Sequence, residues 1–192
     1  MAFITRFCAR FPRGRALLAM LLLAGCSPAA RDFGFSLERI ETHVTADALE
    51  VVVYQKLVLS REARNALDHG VPLAIQTELV LRQAGSRGDI KQIHRNFQIH
   101  YLPLSDRYQL TTIQPFRVNT YPRLRHVLAE LTRVRFSLPA KSVPSGKYEV
   151  RVRSFLDKRH MPPPMRLPML FSSQWQHDSG WRSWPLKLAS GT

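Results

Sequence analysis

The feature that most constrains the fold is a two-residue alternation of apolar and polar side chains that recurs along the chain. Between residues 91 and 101, one face of the segment carries Ile93, Arg95, Phe97, Ile99 and Tyr101, and polar residues occupy the positions between them. Successive side chains of a β-strand point to opposite faces, so this period indicates a strand with one buried face. Comparable segments lie at 48–60, 73–83 and 147–156. We therefore predict a mainly β protein.

The connections between these segments favour antiparallel pairing. A glycine-containing loop, residues 84–89, separates two alternating segments and predicts a hairpin. Pro103 and the Leu-Ser-Asp that follows it predict a second turn, so the middle of the chain is expected to form a meander. The expected architecture is an antiparallel β-sandwich, immunoglobulin-like in its general arrangement.

Two short helices are expected between the strands. Ser60 is a suitable N-cap for the first, and Gly70 suits the left-handed position that ends it. Pro122 suits the first turn of the second, whose apolar stripe is Leu124, Val127, Leu128 and Leu131. The proline-rich run at 161–168, MPPPMRLP, is predicted to be a rigid extended connection.

The first 25 residues have the pattern of a secretory signal peptide. Arginines at 6, 10, 13 and 15, with no acidic residue among the first fifteen, precede an apolar run at 16–25. That run is shorter than the roughly 17–25 residues that a membrane-spanning helix needs. We predict a signal peptide at 1–25, a lipidated N-terminus and tether at 26–32, and a single β-rich domain at 33–190.

The end of this apolar run carries a lipidation motif. Leu23, Ala24, Gly25 and Cys26 resemble the lipobox of bacterial lipoproteins. The resemblance implies diacylglycerol on the Cys26 thiol and cleavage before it, and Ser27 then favours an outer-membrane lipoprotein that faces the periplasm. Two alternatives are a soluble periplasmic protein with an incidental cysteine and an uncut signal anchor.

The cysteines and the charge limit the chemistry of the body. Both cysteines, Cys8 and Cys26, lie before residue 27, so the folded part has no disulfide and depends on its core for stability. Removal of the four leader arginines lowers the formal net charge from +14 to about +10. Export makes anionic lipids and envelope polymers the expected partners of this basic surface, rather than nucleic acid.

Catalytic and metal motifs are not recognisable. The seven histidines have no chelating spacing, and the chain contains no G-x-S-x-G nucleophile elbow. We therefore expect no metal, no cofactor and no catalytic residue.

Arginines form the main candidate binding site. Arg151 and Arg153 share one side of a predicted strand, and Arg133 and Arg135 have the same spacing. If the two strands are neighbours, four guanidinium groups form a patch suited to phosphate or carboxylate; the alternative is an ordinary solvated sheet face. Trp175 and Trp181 are candidate contacts for sugars or a membrane interface, although closing the core is the simpler interpretation.

Several segments together resemble an uncharacterised proteobacterial family, domain of unknown function 4390. They are ALDHGVPLAIQTELVLR, GKYEVRVRSFLD and MPPPMRLPMLFSSQWQHDSGW, and the resemblance spans most of residues 35–188. It implies an exported bacterial envelope protein, sometimes encoded near a membrane sensor kinase, and no assigned activity.

The expected function is that of a non-catalytic envelope lipoprotein or periplasmic binding module. Its expected partners are the membrane, through the N-terminal lipid, and an envelope protein or anionic polymer; modulation of an envelope sensor is one form of this role. The alternative is a hydrolase or other enzyme acting on an envelope glycan or lipid. A cleft that converges on Asp157, His160, His177 or Asp178 would favour the alternative.

Overall fold

The computed structural model describes most of the predicted domain. The described residues are 32–45, 47–86, 88–139 and 143–188. The predicted signal peptide, the Leu23–Cys26 motif and all of the tether except Asp32 lie outside these ranges.

The described strands form two antiparallel sheets. The three-stranded sheet has the order β1-β2-β7, and the six-stranded sheet has the order β6-β5-β4-β3-β8-β9. The strands are β1 (Gly34–Val44), β2 (Ala48–Val58), β3 (Leu73–Gln83), β4 (Asp89–Leu102), β5 (Arg107–Thr112), β6 (Arg117–Tyr121), β7 (Arg133–Pro139), β8 (Gly146–Leu156) and β9 (Arg182–Leu188). The predictions of a mainly β chain, a β3–β4 hairpin and a central meander are confirmed. The likeness to an immunoglobulin domain is limited to the general arrangement of two packed sheets.

The alternating side chains form the core between the sheets. Every second residue of β8 is buried, from Tyr148 to Leu156, and in β7 the buried positions are Val134, Phe136 and Leu138. A fully buried Leu, Val or Phe side chain contributes roughly 1.5–3 kcal/mol relative to an exposed one. The two sheets therefore pack together through the buried side chains of this alternating pattern.

A small polar network crosses this apolar core. Gln55 on β2 donates from Nε2 to the Leu131 carbonyl oxygen at 2.8 Å, and its Oε1 accepts a hydrogen bond from Ser154 Oγ on β8. Ser154 Oγ also lies 3.0 Å from Thr77 Oγ1 on β3. All three polar side chains are buried, so the network links one sheet to the other where water does not reach.

The two predicted helices are confirmed as α1 (Arg61–Asp68) and α2 (Leu124–Glu130). Ser60 caps α1, since its side chain accepts a hydrogen bond from the Ala63 N–H at 3.1 Å. Gly70 follows the helix with φ +85°, a left-handed conformation that costs glycine little.

The proline-rich run is not extended throughout, and this part of the prediction is wrong. Residues Pro163–Phe171 form a third helix, α3. Prolines in the first turn of a helix need no backbone donor, because the first N–H groups have no partner within the helix. Met161 and Met169 are buried on either side of this turn, so packing against the core favours the helical path.

Asp32–Thr192 forms one compact unit. Every residue of the described core and every partner in the described sheets lies within it. A chain that begins at Asp32 therefore keeps all of these contacts and is suitable for binding experiments. Within the described ranges, no helix combines the length and apolar character needed to cross a bilayer.

Candidate functional site

The four predicted arginines do not form one patch. Arg133 and Arg135 lie on β7, which pairs with β2 in the three-stranded sheet. Arg151 and Arg153 lie on β8, which pairs with β3 and β9 in the six-stranded sheet. The condition for a common patch, that the two strands be neighbours, is therefore not met. Alternation shows which residues share a face of one strand, but not the sheet in which that strand pairs.

One of these arginine pairs lies at a cleft that the sequence did not reveal. The cleft has a volume of about 620 Å³. Its lining comprises Arg95, Phe97, Leu110, Thr112, Gln114, Pro115, Arg117, Ala129, Glu130, Leu131, Arg133, Val134 and Arg135. We call it the arginine cleft.

The cleft follows from the unequal widths of the two sheets. The larger sheet has six strands and the smaller has three. Arg95 of β4 lies against the edge strand β7, so the inner faces of β5 and β6 extend past that edge. Helix α2 packs against β5 and β6 and covers part of this face. The remainder, bounded by the end of α2 and by β7, is the arginine cleft.

Strand register places two arginines on the inner face of the large sheet. Phe97 of β4 pairs with Thr112 of β5, which pairs with Arg117 of β6, so the three side chains form a row across one face. Phe97 is buried, which identifies that face as the inner one. Arg95 precedes Phe97 by two residues and therefore points the same way.

The small sheet contributes the other two arginines. Arg133 and Arg135 alternate with buried residues of β7, so they lie on the outer face of this strand, and its outer edge is unpaired among the described strands. Arg95 bridges the two sheets: its Nε donates to the Arg135 carbonyl oxygen at 3.2 Å, and its guanidinium lies 5.7 Å from the Phe136 ring centroid. Arg95 therefore holds the edge of one sheet against the inner face of the other.

The charges of the cleft are strongly unbalanced. Four arginines line it together with a single acidic residue, Glu130. Within the part of the chain that the structure describes, none of the four arginines forms a salt bridge. The Arg133 guanidinium lies 5.7 Å from the centroid of the Tyr54 ring. Each guanidinium has five N–H donors in a planar fork that matches the oxygens of phosphate or carboxylate. The arrangement is therefore suited to an anionic group above an apolar floor of buried side chains.

The second arginine pair has other partners. The Arg153 Nε donates to Asp178 Oδ1 at 3.0 Å, and its Nη2 contacts Oδ2 of the same carboxylate. Burial alone would raise the pKa of Asp178, but the hydrogen bonds and charge of Arg153 outweigh it and lower that pKa. The Arg151 guanidinium lies 5.1 Å from the ring of Trp181. Arg153 is thus already neutralised, which makes this pair a poorer anion site than the cleft.

The two tryptophans proposed as contacts differ in exposure. Trp175 is buried at 7% exposure and belongs to the core, whereas Trp181 is 38% exposed on the six-stranded sheet. Only Trp181 is accessible as a surface contact.

The residues that would have favoured an enzyme do not line the arginine cleft. Asp157 accepts hydrogen bonds from Arg159 and lies 3.1 Å from the Nδ1 of His160. His177 is buried, and its Nε2 accepts a hydrogen bond from the Ser60 N–H at 2.9 Å. These groups hold local structure together: Asp157 caps the short turn that follows β8, and His177 supports the start of α1.

Among the described residues, no group of three histidine, cysteine, aspartate or glutamate side chains is placed to hold a metal ion.

Sequence reasoning missed Arg95 and Arg117. Arg95 did leave a signal, because it occupies an inward-facing position in an alternating strand, and the residues of that face on either side of it, from Ile93 to Tyr101, are large and apolar. An arginine there must reach the edge of the core, since burying an unpaired charge is costly. Arg117 left no comparable signal, because its face depends on the register of β6 with β5.

Comparisons with known proteins identify the family. No curated protein and no solved structure matches the chain significantly. Residues 33–185 match a family described as a domain of unknown function, DUF4390. This match covers the alternating strands, the arginine cleft and most of β9. The chain therefore belongs to the DUF4390 family.

Proposed function

We propose that this protein is a non-catalytic binding module of the bacterial envelope that holds an anionic group, phosphate or carboxylate, in the arginine cleft. The observation that carries the proposal is the set of four arginines, from both sheets, that line one apolar-floored cleft with a single acidic residue. Guanidinium groups bind charge and stay protonated across the physiological pH range, so this lining favours recognition over proton transfer.

The affinity of such a site depends on how many guanidinium groups donate hydrogen bonds to the anion. A charge-assisted hydrogen bond contributes roughly 1.5–3 kcal/mol, and bidentate pairing adds geometric selectivity. Arg117 and Arg133 are exposed residues of the lining and lie on different sheets, so their charges flank the cleft from two sides. Arg95 is partly buried and already donates one hydrogen bond, which orients the rest of its fork.

Substitution of the two exposed arginines tests the cleft. In the chain beginning at Asp32, the double variant Arg117→Gln and Arg133→Gln is expected to raise the Kd for inorganic pyrophosphate at least about tenfold, a loss of about 1.4 kcal/mol. Isothermal titration calorimetry at fixed ionic strength measures this. The control, Arg61→Gln with Lys187→Gln, removes the same charge at exposed positions outside the cleft. It is expected to change the Kd less than about twofold. Equal losses in the two variants would contradict a specific site.

The envelope location rests on the N-terminal motif, which lies outside the described residues. We propose that the Cys26 thiol carries diacylglycerol and that residues 1–25 are removed. In bacteria producing the full chain, Cys26→Ser is expected to abolish acylation and to move the protein out of the membrane fraction, because a thioether needs the thiol. Mass spectrometry and cell fractionation measure both effects. A wild-type chain that keeps residues 1–25 and has no acyl chain would refute the assignment.

A further inference from the structure

The β5–β6 hairpin places exposed apolar side chains beside the arginine cleft. Residues 113–116 form the turn between the two strands. Gln114 and Pro115 line the cleft, while Phe116 is 73% exposed and Ile113 is 46% exposed. A large exposed aromatic side chain next to another apolar one is typical of a surface that meets a partner or a membrane. We call residues 113–116 the hairpin tip.

Basic residues predominate around this tip, and Glu130 is the one acidic residue of the adjoining cleft. Residues 107–123 contain three arginines, at 107, 117 and 123, and no acidic residue. The cleft adds Arg95, Arg133 and Arg135 to Arg117. Basic residues close to an anionic bilayer each contribute roughly 1 kcal/mol of attraction, and apolar side chains add to binding when they enter the boundary between headgroups and acyl chains. The tip and the cleft therefore present both components of a membrane-surface site in one place.

We propose that the hairpin tip inserts into an anionic lipid surface while the arginine cleft holds a phosphate of a lipid headgroup. This inference rests on the proposed function, since it identifies the anion of the cleft as a headgroup phosphate. Charge complementarity favours an anionic lipid surface as the partner. An uncharged protein surface could contact the apolar tip, but it would not balance the charge of the arginines.

The thiol-free body allows a direct test of insertion. The chain beginning at Asp32 contains no cysteine, so Phe116→Cys introduces a single site for an environment-sensitive fluorophore. With vesicles containing phosphatidylglycerol, the fluorophore is expected to shift to shorter wavelength and to brighten. With phosphatidylcholine vesicles alone it is expected to stay unchanged. Leu104→Cys is the matched control, because Leu104 is fully exposed but lies in the turn at the other end of β5.

Vesicle co-sedimentation measures the contribution of the tip without a label. Phe116→Ser is expected to weaken binding to phosphatidylglycerol vesicles by roughly tenfold or more, as burial of a phenylalanine predicts. Phe171→Ser removes a similarly exposed phenylalanine, at the end of α3, and is expected to leave binding within about twofold. Neither substitution is expected to change the affinity for pyrophosphate.

The outcomes separate this inference from the proposed function. Pyrophosphate binding without a vesicle-dependent shift at position 116 would overturn membrane insertion and leave the anion site standing. An equal response at positions 104 and 116, or equal weakening by the two phenylalanine substitutions, would also overturn insertion through the tip. If the unsubstituted chain bound neither pyrophosphate nor phosphatidylglycerol vesicles, the proposed function would be overturned as well. A soluble glycerol phosphate that shifts the label as strongly as vesicles would identify the ligand as a free phosphate.

Discussion

Acidification from pH 7 to pH 4 is expected to lower the free energy of unfolding by roughly 2–3 kcal/mol through one buried histidine. Burial lowers the pKa of His177 to about 4. The carbonyl of Trp175 opposes this shift and the charge of Lys158 adds to it. The rings of Phe33 and Phe35 lie 5.4 Å from the imidazole ring, so a positive charge there would have little solvation.

The direction of the effect follows from the two pKa values. In the unfolded chain the histidine has its ordinary pKa near 6.5, so it binds a proton as the pH falls below that value, while the folded protein stays neutral until about pH 4. The stabilisation is therefore complete above about pH 6.5 and is lost as the pH falls towards 4. Arginine partners lower the pKa of Asp157 and of Asp178 against the effect of burial, so the stabilisation from these carboxylates is lost mainly at still lower pH.

Urea unfolding at a series of pH values measures this dependence. His177→Gln is expected to remove most of the slope between pH 6.5 and pH 4.5, whatever its stability at pH 7. A smaller slope is expected to remain from His100, whose pKa burial also lowers. His43→Gln changes an exposed histidine of β1 and is the control. If His177→Gln folds poorly, NMR titration of the wild-type imidazole gives the same information, and a His177 that titrates near pH 6.5 would refute the prediction.

Replacing Gln55 with leucine is expected to destabilise the protein by roughly 2–4 kcal/mol, although leucine is apolar and similar in size. The substitution removes the hydrogen bond to the Leu131 carbonyl oxygen and the acceptor for the Ser154 hydroxyl. Both groups are then left in a dry interior, where an unsatisfied polar group costs roughly 1–3 kcal/mol. Ser154 keeps one contact, with Thr77, which limits the loss.

A double-mutant cycle tests whether Gln55 and Ser154 act together. Ser154→Ala is expected to cost roughly 1–3 kcal/mol. The double variant should cost less than the sum of the single variants, because the two residues share one hydrogen bond. Gln83→Leu, at the exposed end of β3, should change stability by less than about 0.5 kcal/mol. If the losses in free energy of unfolding of the two single variants, measured with denaturant, add up to that of the double variant, the two residues are not coupled.

Local patterns predicted β2, β3, β4, β8 and the first two helices because those patterns report local geometry. The alternation of β8 matched its burial residue by residue, and Ser60 and Gly70 have the capping roles expected of them. The proline-rich run was misjudged because its conformation depends on Met161 and Met169 packing into the core. A proline restricts its own backbone but does not show what its neighbours will contact.

The candidate site was less accessible from the sequence than the fold. The sequence indicates that Arg133 and Arg135 are possible anion contacts, but the expected partners, Arg151 and Arg153, lie on a strand of the other sheet that does not neighbour β7. The actual companions of the first pair are Arg95 and Arg117, on two strands of the other sheet. They meet because the six-stranded sheet is wider than the three-stranded one, and sheet width is a property of long-range pairing.

The sequence by itself determined the strands β2, β3, β4 and β8 and which of their side chains alternate, where α1 begins and ends, and that the body holds no disulfide. These follow from interactions between residues a few positions apart and from the cysteine positions. Tertiary structure alone decided that β7 and β8 lie in different sheets, that Arg95 reaches across to the Arg135 carbonyl, and that a cleft opens beside the hairpin tip. Contacts between distant segments depend on pairing and packing of the whole chain, which no local pattern specifies.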